Sequence, residues 1–200
     1  MSDNDVLSFD TKELAKVTNI PTFTLVPETD QVLFEPLPVF DFDNPPVDPN
    51  EFASSLVETC IKNRGLGLSA NQCGFKHRVF VAGAENNYVA YFNPKVLNIS
   101  DETEIGPEGC LSFPHLYLNV IRPKKIDIEY QDFTGKKHTA HFEGLTARVF
   151  LHEYDHMEGV VFTSKTKPMA LKMGKEKRAK LFQKLEKAQK QLSKMAKGRK

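Results

Sequence analysis

The sequence predicts an α+β fold, with antiparallel strands, a helix carrying an H-E-x-x-H pattern and a basic helix at the C-terminus. Three observations predict it. Short runs such as "KIDIEYQDF" alternate apolar and charged residues, the pattern of half-buried strands. The stretch "GLTARVFLHEYDHMEGV" instead repeats at three- and four-residue steps through Leu145, Val149, His152 and His156. The last 36 residues scatter leucines among lysines, as in an exposed amphipathic helix.

In chain order, residues 1–25 show no firm pattern and are expected to form a loose extension. The pairs Asn44-Pro45 and Asp48-Pro49 mark turns, and Asp48 or Asn50 is placed to cap a helix. That helix runs on from Glu51 through Phe52, Leu56, Cys60 and Ile61, with Gly65 as its stop. Strand-like runs follow: "HRVFVAG", "YVAYFNPKVLNI", "LNVIRPKKIDIEYQDF" and, after the turn "DFTGKK", the returning strand "HTAHFEG". The "HEYDH" helix ends near Gly159. The tail reads as one long helix with a break near Gly174. Residues 26–164 therefore make the main body and 165–200 a basic helical appendage.

Composition narrows the class. Forty per cent apolar and 26% charged residues are a globular mixture. The opening "MSDNDVLSFD" is acidic and lacks the apolar run of a secretory signal. No stretch approaches the ~20 apolar residues that a spanning helix needs. Three cysteines, Cys60, Cys73 and Cys110, are too few for a disulfide framework. A soluble cytoplasmic protein with reduced thiols is expected, with neither membrane nor DNA as partner. The formal net charge of +1 hides an asymmetry, because residues 165–200 hold fourteen basic side chains against two acidic ones. A basic tail on an acidic body suits a polyanionic partner, or else a solvated helix face.

His152 and His156 fall one helical turn apart on one face, the separation at which two imidazoles meet one ion. Glu153 projects beside them, placed to reach a metal-bound water without ligating. A third ligand is needed. The metalloprotease continuation x-x-G-x-x-H fails, because Phe162 stands where the histidine belongs. Glu176 has the spacing of a second peptidase group but lies in the cationic run "GKEKRAK". Cys110, in "GPEGCLSFP", would complete a Cys/His/His set with one position open, as in catalytic sites; alone it reads equally as a buried small hydrophobe.

Three ordered stretches, "GLGLSANQ" (65–72), "EGCLS" (108–112) and "HEYDH" (152–156), resemble the motifs of the peptide deformylases. The resemblance covers roughly residues 26–165 and implies antiparallel sheets around a central metal-binding helix. It implies Cys110, His152 and His156 as ligands of one divalent ion, Fe²⁺ or Zn²⁺, between which ligand type does not choose. Glu153 would act as base and then acid in hydrolysing the formyl group from formyl-methionine at the start of nascent peptides. The Gln72 amide and the Leu111 N–H would donate to the formyl oxygen. Gly65 and Gly67 leave backbone free to pair with the peptide as an added strand. Leu66, Leu145 and Val149 would wall the methionine pocket, while Glu108, Arg122 and Asp155 orient ligands. The basic tail would contact the ribosome. Two other readings stay open from the residues alone: an H-E-x-x-H peptidase using Glu176, and a ribosome- or RNA-binding protein with a structural metal.

Two positions depart from the family pattern. Tyr117 stands in line with a common arginine, and Arg148 replaces an aliphatic residue of the methionine pocket. Arg148 is expected either to run its stem along the pocket with its charged head wet, or to narrow or polarise the pocket, and so to alter side-chain preference.

Overall fold

A computed structural model describes residues 8–10, 20–85 and 87–197, with the side chains of 8–10 and 195–197 excepted. Helix α1 (Pro49–Lys62) starts where Asp48 accepts a hydrogen bond from the Glu51 N–H, so Asp48 is the cap and Pro49 occupies the first turn. Its stop differs from expectation. The helix closes at Asn63, and Arg64, not Gly65, takes the left-handed conformation (φ 57°).

The main sheet is six-stranded and antiparallel. Strands β2 (Gly67–Ser69), β3 (Val79–Ala84), β4 (Asn87–Ile99), β7 (Lys125–Gln131) and β8 (Lys137–Glu143) lie in that order. A short β1 (Ser8–Asp10) pairs with β4. This corrects the expectation of a wholly loose extension; residues 1–7 and 11–19 lie outside the described ones. The body also begins earlier than 26, since Phe23 and Leu25 pack against the α1 core. A separate hairpin joins β5 (Thr103–Cys110) to β6 (Phe113–Pro123). The run "LNVIRPKKIDIEYQDF", read as one strand, thus divides at Lys124 between two sheets.

Alternation along β3 and β4 sends side chains to opposite faces. Val79, Val81, Ala90 and Phe92 pack under α1 with Phe52 and Leu56. Phe80 and Tyr91 point the other way, onto Ala147, Phe150 and Leu151 of helix α2 (Gly144–Met157). The far side of α2 meets the β5–β6 hairpin, so α2 lies between sheet and hairpin. A third cluster, with Phe113, Leu116, Leu118, Val161 and Phe162, packs the hairpin's inner face.

Helix α3 (Pro168–Lys197) is continuous, without the expected break. Gly174 serves packing instead: a Cβ there would come within 2.7 Å of Leu118 Cδ2, so the glycine lets the helix lie close on β6. Arg178 then pairs both oxygens of Glu28, at 2.6 and 3.0 Å. Among the described residues no helix is long and apolar enough to cross a membrane.

Candidate metal centre

Helix α2 carries its two histidines toward the hairpin, where both are buried. Their ring centroids are 5.4 Å apart. The hairpin supplies the third group. Its register jumps between the pairs Gly109–Tyr117 and Cys110–Phe113, leaving residues 114–116 bulged, with His115 at φ 62°. Such a bulge re-aims a strand end, and here Cys110 turns toward α2, its Sγ 3.4 Å from His156 Nε2. The donor atoms of Cys110, His152 and His156 all lie within 4.8 Å of one another.

This set fits a divalent ion. Tetrahedral ligation with ~2.3 Å to sulfur and ~2.0 Å to nitrogen separates those two atoms by ~3.5 Å, close to the distance between Cys110 and His156. A thiolate and two imidazoles suit zinc or ferrous iron. No Asp or Glu joins the group among the described residues. Glu176, weighed as a peptidase ligand, is exposed on α3.

Glu153 is buried beside the cluster without belonging to it, and Ser69 Oγ donates to its Oε2 at 2.7 Å. Burial pushes its carboxyl pKa up, against the opposing pull of His152 and the Ser69 bond. A carboxyl raised in this way holds a proton more readily than an exposed one. Gly67 makes room for it: a Cβ at that position would sit 2.5 Å from Glu153 Oε1. Gln72 is fixed through its own Oε1, which accepts from the Ser69 N–H at 2.9 Å. Its Nε2 donates to Cys110 Sγ and Ser112 Oγ at 3.2 and 3.3 Å, so this donor faces the cluster.

Behind the histidines lies a chain of charge. His152 Nδ1 is 3.0 Å from Glu108 Oε2, leaving Nε2 for an ion. Arg122 grips both oxygens of Glu108 at 2.8 Å and reaches Asp155 at 2.6 Å. Burial opposes the Glu108 charge, yet Arg122 and His152 outweigh it and hold the carboxyl at about 2. Burial likewise disfavours a charged His152, but hydrogen bonds to Cys110 and Glu108 raise its pKa to about 10, a proton that an ion would displace. Burial drives His156 the other way, well below the usual range. The other thiols stand apart, with burial raising Cys73 to about 12 and Cys60 further.

For Arg148 the wet-headed placement is corrected, while its side chain still lines the same cavity as Leu145 and Val149. Its head is not wet; it is buried, donating to Glu108 Oε1 at 3.0 Å and to the carbonyls of Val120 and Glu104 at 2.9 and 2.8 Å. Leu66, Leu145 and Val149 line a cavity of about 500 Å³ that also reaches Gly65, Gly67, Leu111, Tyr117 and the metal cluster. Two of them remain strongly exposed in it, Leu66 at 45% and Leu145 at 64%, as a wall awaiting an apolar ligand would be.

Sequence reasoning missed Ser69 and Asn71. Asn71 Nδ2 holds the His156 carbonyl at 3.0 Å, at the end of the ligand helix. Both residues lie within "GLGLSANQ", but their partners are 84 and 85 residues away, and no local pattern announces such pairings.

The family profile described as polypeptide deformylase matches residues 24–172. A peptide deformylase of Thermotoga neapolitana is 42% identical over 113 residues, 56% of this chain and 69% of that one. One of Treponema pallidum is 42% identical over 111 residues, 56% and 68% of the two chains. Among solved structures, the Thermotoga maritima peptide deformylase superposes with a TM-score of 0.66 at 35% identity, covering 74% of this chain and 99% of that one. A Synechococcus elongatus peptide deformylase in complex with actinonin gives 0.72 at 28% identity, with coverages of 82% and 88%. From these matches and the geometry they accompany, the chain belongs to the polypeptide deformylase family.

Proposed function

We propose that Cys110, His152 and His156 hold one divalent ion, Fe²⁺ or Zn²⁺, at which the chain removes the formyl group from formyl-methionine at the start of nascent peptides. The observation that carries this reading is the convergence of those three donors beside a buried carboxylate that is not one of them. When bound, the ion supplies Lewis-acid chemistry, polarising a carbonyl oxygen and acidifying water. Every other task falls to the chain's own residues.

Glu153 takes a proton from the attacking water as its oxygen bonds to the formyl carbon. Charge then grows on the formyl oxygen, to which Gln72 Nε2 and the Leu111 N–H donate; one such donor is typically worth ~10²–10³ in turnover. Glu153 returns the proton to the amine as the C–N bond breaks. One water and one formamide thereby give formate and a free N-terminus. The backbone from Gly65 to Gly67 pairs with the peptide main chain, and Leu66, Leu145 and Val149 cover the methionine side chain. Glu108, Arg122 and Asp155 hold the His152 ring in place. On this reading α2 is the metal-binding H-E-x-x-H helix, and residues 26–164, with Phe23 and Leu25 packed onto them, are the catalytic unit.

The test is formate release from a formyl-Met peptide after anaerobic loading with iron, alongside zinc. Wild type is expected to be active and Cys110→Ser to lose both metal and activity. A Cys110→Ser protein that keeps metal and rate would overturn the ligand set.

Basic helix α3 is proposed to hold the enzyme to ribosomal RNA in the cytoplasm. Phosphate contacts make such binding fall steeply with salt. Cosedimentation with ribosomes should therefore weaken between 50 and 200 mM salt, each an assay condition on the order used for counterion release, and on removal of residues 183–200. Indifference to both would sink the assignment.

A further inference from the structure

We propose that Arg148 is a positioning residue for the metal centre: its guanidinium holds Glu108, and through it His152, and fastens the hairpin bearing Cys110 to the helix bearing both histidines. This rests on the reading of Cys110, His152 and His156 as ligands.

The carboxylate of Glu108 receives donors from four directions. Arg122 Nε and Arg148 Nη1 share Oε1, at 2.8 and 3.0 Å, while Arg122 Nη2 and His152 Nδ1 share Oε2, at 2.8 and 3.0 Å. Both arginines tie hairpin to helix, Arg122 through Asp155 of α2 at 2.6 Å, but they do so from opposite sides. Arg122 lies on β6 and Glu108 on β5, so their pair is internal to the hairpin. Arg148 lies on α2, four residues before His152, and reaches across to the hairpin.

It also bonds hairpin backbone, with Nη1 donating to the Val120 carbonyl at 2.9 Å and Nη2 to the Glu104 carbonyl at 2.8 Å. One side chain on the histidine helix thus engages both strands that position Cys110. Planar guanidinium geometry suits this multiple contact, where a lysine ammonium offers a single point.

The hairpin is also shaped to receive it. Gly106 faces the guanidinium, and a Cβ there would stand 2.9 Å from Arg148 Cζ and 3.0 Å from Nη2. The colliding atoms are the far end of a flexible side chain, so Gly106→Ala would push the guanidinium off Glu108 without altering α2. Position 148 can therefore be perturbed from either side of the contact.

Stability is a poor readout, because removing one partner of any buried ion pair lowers it whether or not a metal centre is involved. Metal retention reads the proposal directly. Removing groups behind ligating residues typically weakens metal binding ~10–100-fold, and the low end, about tenfold, is expected while Arg122 remains. The experiment follows zinc transfer from the loaded full-length protein to a colorimetric chelator, and the visible spectrum of the cobalt(II)-loaded protein.

Arg148→Met and Gly106→Ala should each release zinc about tenfold faster and shift the cobalt bands. Arg148→Lys should restore only part of the retention. In a Glu108→Gln background, Arg148→Met should add less than about twofold, since coupled residues are not additive. Release rates and spectra equal to wild type in both Arg148→Met and Gly106→Ala would overturn the proposal. If Arg148→Met precipitates, Gly106→Ala decides alone. Failure of the ligand reading looks different: wild type itself would lack a thiolate-to-cobalt band, or Cys110→Ser would leave its spectrum unchanged.

Discussion

Gly67→Ala is a small change aimed at the centre of the chemistry. A methyl group at this position of β2 would lie 2.5 Å from Glu153 Oε1, 2.7 Å from Cγ and 2.8 Å from Cδ. To reach the 3.4 Å of an ordinary contact, Oε1 must retreat by about 0.9 Å, and the clash with Cγ moves the whole side chain. Retreat is obstructed, because Glu153 is buried and Ser69 holds its other oxygen at 2.7 Å. Misplacing a catalytic group by about 1 Å costs ~10² in rate, so kcat should fall about a hundredfold. Overpacking should cost ~1–3 kcal/mol in stability. Zinc or iron content should not change, since Glu153 lies outside the donor set. Formate release under saturating formyl-Met peptide, with metal analysis of the same sample, makes the measurement. A Gly67→Ala enzyme that is folded, fully loaded and within twofold of wild-type kcat would refute the idea that Glu153 needs this position.

Glu153→Gln should retain metal while kcat drops by ~10²–10⁴, the range for a lost acid–base group; metal loss in this variant would mean that Glu153 is a ligand after all. Acid should loosen the metal-free protein through Glu108, whose carboxyl is held at about 2 against an ordinary 4.5. Because the folded value is the lower one, this stability is present above about pH 4.5 and drains away as pH falls toward 2. Between pH 6 and 3.5 the loss from this group is about 1.4 kcal/mol, readable as a shift in urea midpoint. Glu108→Gln, weaker at neutral pH, should lack that share of the decline, and an equally steep decline would count against the assignment.

The sequence made some of this legible and hid the rest for identifiable reasons. The "HEYDH" helix and the alternating strand at Ile126, Ile128 and Tyr130 declare themselves because their periods are local; the strand's buried face matches, while the helix packs on the sheet through Ala147, Phe150 and Leu151 and turns Leu145 and Val149 to the cavity. Cys110 did not declare itself. Its spacing from His152 carries no signal: the need for a third ligand made it a candidate, the three resembling motifs set that reading above a buried small hydrophobe, and the bulged hairpin aims it. Arg148 shares the ligand face and does line the cavity, but the sequence did not show where its guanidinium would bind. Which neighbour a long side chain reaches depends on tertiary packing, and here a hairpin lay within reach. The break anticipated at Gly174 failed because the helix packs that glycine against Leu118, where a glycine's missing side chain is useful rather than disruptive.

The unbroken α3 has a consequence for scale. Among the described residues its last ring contact with the body is Phe182 against His115, at 5.6 Å. Fifteen residues of helix continue from 183 to 197, and at ~1.5 Å per residue they make a strut of ~22 Å. Anything gripping the strut's tip is held off by that span. An extended peptide advances ~3.3 Å per residue, so about seven residues are needed to cover such a gap. If the ribosome contact proposed for α3 is made at that tip, this span would set how many extended residues separate the gripped surface from the metal cluster.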